Sequence, residues 1–173
     1  MTSQAPSPGE WVLFSYRLPR EPSGPRTTLW RRLKRLGVVQ LSDGLVALPA
    51  DARTREQLEW LADDVAEAAG TAGVWIARPT TVAQERDLAT AMAAARAQEY
   101  LTLAEQCGSA SREDAANRGR TLRRLRTEWR AINRRDFFPP RARDIAAAAL
   151  RDLAAEEFVP AGPTPGEVVE SAP

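Results

Sequence analysis

Arginine is the reactive group this chain carries in quantity. Lys34 is the only lysine among 24 basic residues, and the rest are arginine. Between residues 118 and 135 stand Arg118, Arg120, Arg123, Arg124, Arg126, Arg130, Arg134 and Arg135, against the single acid Glu128. A guanidinium group is a planar fork of donors that matches phosphates and other tetrahedral oxyanions. If Leu122, Leu125, Trp129 and Ile132 form the inner stripe of a helix, Arg123, Arg126, Arg130 and Arg134 line its outer flank at near-helical spacing. Such a row suits anion binding. Alternatively, Asp51, Glu56, Glu59, Asp63, Asp64 and Glu67 neutralise it across an internal interface. Arg31, Arg32 and Arg35 make a second basic group, on a helix followed at once by a hairpin. That order suggests a recognition helix and wing entering a DNA groove. A strand precedes it, however, where a winged helix needs helices, and a solvated helix face is the plainer reading.

Other chemistry is thin. The chain has no histidine and one cysteine, Cys107. It therefore cannot supply a zinc finger, a Ser-His-Asp or Cys-His pair, a histidine-ligated haem, an iron–sulfur cluster or an internal disulfide. Its carboxylates follow no metal-binding spacing, so no metal, cofactor or catalytic residue is expected. A lone thiol could sense an oxidant but has no resolving partner in the chain. The first ten residues lack the basic and apolar regions of a signal peptide, and apolar runs such as 145–150 are too short to span a bilayer. A soluble cytoplasmic protein without membrane contact is the expectation.

The elements that must position the arginines follow from hydrophobic period. Net charge is only +1, and 43% of the 173 residues are hydrophobic, enough for a core. Residues 1–9 and 159–173, rich in Pro, Gly, Ser and Ala, read as disordered tails. Residues 10–79 alternate strand and helix: a strand at 11–16, a helix at 26–36 closed by Gly37, strands at 38–41 and 45–48 joined at Ser42-Asp43-Gly44, a helix from Thr54 to Gly70, and a strand at 74–77. That order is the split βαβ, or ferredoxin-like, arrangement.

Residues 80–158 read as a helical domain. One helix is expected from Val82 to Gln106, broken at Cys107-Gly108-Ser109. A second, capped by Ser111, runs to about Arg135, and a third starts at Pro140 and buries Ile145, Ala146, Ala149, Leu150 and Leu153. The corner Asp136-Phe137-Phe138-Pro139-Pro140 separates the last two, with its aromatic pair read as core anchors rather than a base-stacking surface. Trp11 and Leu13 point to one face of the first strand, Val12 and Phe14 to the other. The helices of 10–79 can cover one face only, so the C-terminal helices or a second subunit must cover the other. Trp60 stands off its helix's apolar stripe and is a candidate contact residue.

Trp11-Val12-Leu13-Phe14-Ser15-Tyr16-Arg17-Leu18-Pro19, Leu29-Trp30-Arg31-Arg32-Leu33-Lys34-Arg35-Leu36-Gly37, and Leu41-Ser42-Asp43-Gly44-Leu45-Val46-Ala47-Leu48-Pro49 together resemble the N-terminal domain of ChrB chromate resistance proteins. Ile132-Asn133-Arg134-Arg135-Asp136-Phe137-Phe138-Pro139 is similar to the same family's helical segment. The resemblance implies a regulator of chromate-resistance operons acting beside an efflux transporter. More distantly, the second and third stretches are similar to the ferredoxin-like domain of PaaX-type repressors, and through it to CRISPR spacer-acquisition nuclease subunits. Those nucleases place a metal-binding aspartate at the end of the first strand, where this chain has Ser15, Tyr16 and Arg17, so nuclease activity is not implied. Longer ChrB proteins continue into a second domain, which leaves chromate sensing outside what the resemblance implies for this chain.

The expectation is thus an α+β protein: a ferredoxin-like βαββαβ sheet domain followed by a three-helix C-terminal segment packed on it. Its expected role is that of a non-enzymatic, DNA-binding transcriptional regulator and homodimer. Arg123, Arg126, Arg130 and Arg134 would contact phosphates, with Arg31, Arg32 and Arg35 next in line. The alternatives are a sensor of chromate or a similar oxyanion, and a dimeric interaction module without nucleic acid.

Overall fold

The structure, a computed structural model, describes residues 9–157. Apart from Gly9, the tails expected at 1–9 and 159–173 lie outside the described residues. In chain order the elements are β1 (Trp11–Arg17), α1 (Gly24–Leu36), β2 (Val39–Ser42), β3 (Leu45–Pro49), α2 (Ala52–Glu67), β4 (Thr71–Ala77), α3 (Val82–Ala110), α4 (Ala115–Asn133) and α5 (Ala142–Glu157). The strands form one antiparallel sheet in the order β2-β3-β1-β4. With the connectivity βαββαβ, that is the ferredoxin-like order. The fold class is α+β, with three helices following the sheet.

Register decides which side chains share a face. Val12, Phe14, Val46 and Leu48 lie on one face and are fully buried, packed in one cluster with Leu29 and Leu33 of α1 and Leu58, Leu61 and Val65 of α2. Helix α2 starts at a reciprocal cap. The Asp51 carboxylate accepts from the Thr54 amide at 2.6 Å, and the Thr54 hydroxyl accepts from the Asp51 amide at 3.0 Å. The helix therefore begins at Ala52, two residues before the expected start.

The opposite face carries Trp11, Leu13 and Ser15 beside Ala47 and Trp75. Its cover is partial. Met92 and Leu88 of α3 and the Phe137-Phe138 corner pack against the sheet's cluster, and Phe138 stacks on Trp11 with centroids 6.0 Å apart. The aromatic pair is thus a core anchor, as expected. Toward β4 the cover ends, and Trp75 is 61% exposed; Ile76, on the face of Val12 and Phe14, is 52% exposed at the same sheet edge. A Cβ on Gly73 would meet the Trp75 ring at 2.9 Å, so the glycine lets the indole lie down over its own strand, where Nε1 reaches the Ser15 hydroxyl at 3.3 Å.

The helical segment departs from expectation in three places. Helix α3 does not break at Cys107-Gly108-Ser109 but continues to Ala110. Cys107 and Ala110 are buried in the second cluster, with Tyr100, Leu103, Leu122, Leu125, Ile132, Ala146 and Leu153, and that packing outweighs the roughly 1 kcal/mol cost of one mid-helix glycine. Ser111 does not cap α4. Its backbone is helical and closes α3, while Asp114, with extended backbone, accepts from the Asn117 amide at 3.0 Å. Helix α5 starts at Ala142, after turn bonds to Pro140 and Arg141, and its buried stripe is Ala142, Ala146, Leu150 and Leu153. Ile145, one residue off that stripe, is 53% exposed rather than buried.

Sheet and helices meet at Gly37, the left-handed residue (φ 79°) that closes α1. A Cβ there would meet Arg96 Nη1 at 2.7 Å and Arg135 Cβ at 2.9 Å, so both the turn and the approach of α3 and α4 need glycine. Gly37→Ala is expected to destabilise the fold by about 1–3 kcal/mol in urea unfolding, from left-handed strain and crowding together. A change within error of zero would remove Gly37 as the constraint.

Candidate anion-binding surface

Helix α4 presents the sequence-identified row as expected. Leu122, Leu125 and Ile132 are buried, Trp129 is half-buried against Tyr100 (centroids 5.1 Å apart), and Arg123, Arg126, Arg130 and Arg134 are exposed on the other flank. Among the described residues none of those four forms an ion pair. Their neighbours are otherwise engaged: Arg124 with Glu128 at 3.3 Å and Gln106 at 2.9 Å, Arg118 with the Glu113 carbonyl at 3.2 Å. Arg130 Nε donates to the Arg126 carbonyl at 3.1 Å, leaving its terminal nitrogens outward.

The acidic helix α2 does not supply the counter-charges. Asp64 pairs with Arg32 of α1, and Glu59 with Arg55 at 3.3 Å along its own helix. Arg32 is thereby tied to α2, while Arg31 and Arg35 stay exposed on α1, and Lys34 sits over the Trp30 ring at 5.3 Å.

Two of the sequence-identified arginines are brought together. A cleft of about 180 Å³ opens between α1, α2 and the end of α4. It is lined by Arg35, Arg53, Arg134 and Arg135, with Gln57 and Phe137 among the remaining walls and no carboxylate. Arg123, Arg126 and Arg130 lie outside it, further along α4. Arg53 was hidden in the sequence as an apparent partner for its acidic helix, and Arg135 as one more member of the run. Only the fold, which brings the start of α2 and the end of α4 to one cleft, makes them neighbours.

Arg135 is held by a half-buried carboxylate. Glu99 of α3 receives Arg96 Nη2 at 2.9 Å on one oxygen and Arg135 Nη2 on the other, and Arg135 Nη1 donates to the Ala131 carbonyl at 3.3 Å. Arg96 is only 8% exposed, and burial pulls its pKa below the usual arginine range. Next to it the Tyr100 hydroxyl donates to Asp136 at 2.9 Å, fixing the corner just after Arg135. Burial, and then that hydrogen bond, raise the Tyr100 pKa well above its usual 10.0.

A second, larger cleft lies at the end of β1, lined by Tyr16, Arg17, Arg20, Arg26, Trp30 and Asp43 among others. Cys107 is buried, and burial raises its thiol pKa, with smaller opposing effects of Arg124 and Glu128. It is not poised as a nucleophile or redox sensor. Among the described residues no group of three or more His, Cys, Asp or Glu could hold a metal ion, and no helix is long and apolar enough to cross a membrane.

Fold and surface together define an α+β protein: a ferredoxin-like sheet carrying a helical segment with a one-sided arginine face. The chain belongs to the family described as "Protein ChrB, N-terminal", whose model matches residues 26–117, from α1 into the first turn of α4. It is accordingly a chromate-resistance-related protein. No curated protein and no solved structure matches it.

Tyr100 yields a test with a definite sign. A raised folded-state pKa means the unfolded chain ionises first, so this contribution is intact below pH 10 and is lost as pH rises above it. Tyr100→Phe is expected to cost about 1–3 kcal/mol at neutral pH, because the half-buried Asp136 carboxylate loses its donor. It should also flatten the alkaline decline in stability relative to the parent chain. Identical alkaline slopes in the two proteins would contradict the Tyr100–Asp136 assignment.

Proposed function

We propose that the chain is a regulatory protein of the chromate-resistance type that binds DNA, with α4 laid along the phosphate backbone. One observation carries this reading: the exposed row Arg123, Arg126, Arg130 and Arg134 has no ion-pair partner among the described residues. Counterion release from DNA rewards a row of this kind, and guanidinium groups fork onto phosphate oxygens. In this reading the chain works in the cytoplasm and performs no catalysis. It positions itself on the duplex through phosphates, and Arg31 and Arg35 of α1 reach further ones.

Replacing Arg123, Arg126 and Arg130 together by alanine should weaken binding to duplex DNA of any sequence. It should also lower the slope of log K against log salt by about 0.9 for each phosphate that is no longer neutralised. All three side chains are exposed, so the variant should fold with parental stability. Unchanged affinity and slope would exclude α4 as the DNA-facing surface.

A second reading, a dimeric interaction module, is favoured by the open edge of β4, where Trp75 and Ile76 are exposed beside unpaired strand backbone. A second copy pairing antiparallel along β4 would extend the sheet and cover both side chains. Light-scattering mass should then be twice the chain mass at micromolar concentration and fall to the monomer in Trp75→Glu. A monomeric parent chain would dismiss this arrangement.

A further inference from the structure

The cleft between α1, α2 and α4 is charged differently from the row on α4's flank. Four arginines, Arg35, Arg53, Arg134 and Arg135, line about 180 Å³ of space without a carboxylate among the lining residues. Like charges so placed repel one another, and the acid behind the wall already has two partners: Glu99 is shared by Arg96 and Arg135. Asp51, at the start of α2, spends its carboxylate on the Thr54 amide. Arg135 is 18% exposed, and its terminal nitrogens already donate to Glu99 and to the Ala131 carbonyl, so it brings charge to the wall rather than free donors.

We infer that this cleft is a site for one free tetrahedral oxyanion of the phosphate or sulfate class, held by Arg35, Arg53 and Arg134 with Gln57 as a neutral donor and Arg135 adding positive charge at the wall. A compact dianion would supply the missing counter-charge and offer acceptor oxygens to donors arriving from three helices. The three helices also explain why the site should be selective. Arg35 closes α1, Arg53 opens α2, and Arg134 and Arg135 end α4, so the donors are fixed by separate elements rather than strung along one flexible segment. Binding would tie the sheet to the helical segment at the end of the helix that carries the exposed arginine row. This inference does not depend on DNA being the partner of that row.

The test is calorimetric titration of the whole chain with inorganic phosphate, and separately with sulfate, at constant ionic strength held by chloride. A single saturable site is expected, with sulfate competing against phosphate. Arg53→Gln and Arg35→Gln should each weaken phosphate binding by about tenfold or more, since each removes a charge-assisted donor. Both residues are exposed, so the fold should survive, and circular dichroism checks that it does. Arg123→Ala should leave phosphate binding unchanged, which separates the cleft from the flank. Binding without saturation, or equal weakening in Arg123→Ala and Arg53→Gln, would overturn the inference. So would a cleft that takes only the backbone phosphate of DNA: duplex affinity reduced by Arg53→Gln while free phosphate gives no saturable heat. If the chain bound no duplex at all but still titrated with phosphate, the cleft assignment would stand and the DNA reading would fall.

Discussion

The shared carboxylate of Glu99 is the constraint on which the joined structure depends. It receives Arg96 from its own helix and Arg135 from the end of α4, and the two arginines crowd against Gly37 at the end of α1. Three elements distant in sequence are thereby fixed at one point. Breaking one member of a buried charge group leaves the others uncompensated, which costs far more than the intact group contributes. The interaction is therefore better understood as setting geometry than as adding stability. It decides where the end of α4 lies relative to α1 and α2, and hence that Arg134 and Arg135 face Arg35 and Arg53.

The sheet and its two helices were legible because each strand and helix carries its own local signal. Gly44 supplies the turn of the β2–β3 hairpin, Gly37 ends α1, and the stripes Leu29-Leu33 and Leu58-Leu61-Val65 have helical period. The flank of α4 was legible for the same reason, since Leu122, Leu125 and Ile132 fix which side turns outward. What failed was punctuation whose meaning is set by tertiary packing. Gly108 reads as a break, yet burial of Cys107 and Ala110 on either side carries the helix through it. Ser111 reads as the cap of α4, but its backbone is helical, and the extended residue that caps the helix is Asp114. Arg35 and Arg134 stand out in the sequence, but nothing there brings them together with Arg53 and Arg135, because the four come from three elements.

The exposed arginine row of α4 stands outside the ion pairs that nearby acids make. Asp64 is spent on Arg32, Glu59 on Arg55, Glu128 on Arg124, and Glu99 on Arg96 and Arg135. Arg123, Arg126, Arg130 and Arg134 thus form a basic strip without an ion pair among the described residues of a nearly neutral protein. The end of β1, where Ser15, Tyr16 and Arg17 stand, leads into a basic cleft and offers no carboxylate from that strand.

Helix α3 carries residues of both hydrophobic clusters, Met92 in the one with the sheet and Tyr100, Leu103 and Cys107 in the one with α4 and α5. It is an uninterrupted rod of 29 residues, about 44 Å long at 1.5 Å per residue. Neither cluster can lose its segment of α3 without fraying the helix that the other relies on. The rod therefore ties two modest cores together through one continuous helix. It also makes the molecule stiff along one axis: a torque applied to the helical end is transmitted to the sheet through continuous backbone hydrogen bonds rather than absorbed in a linker.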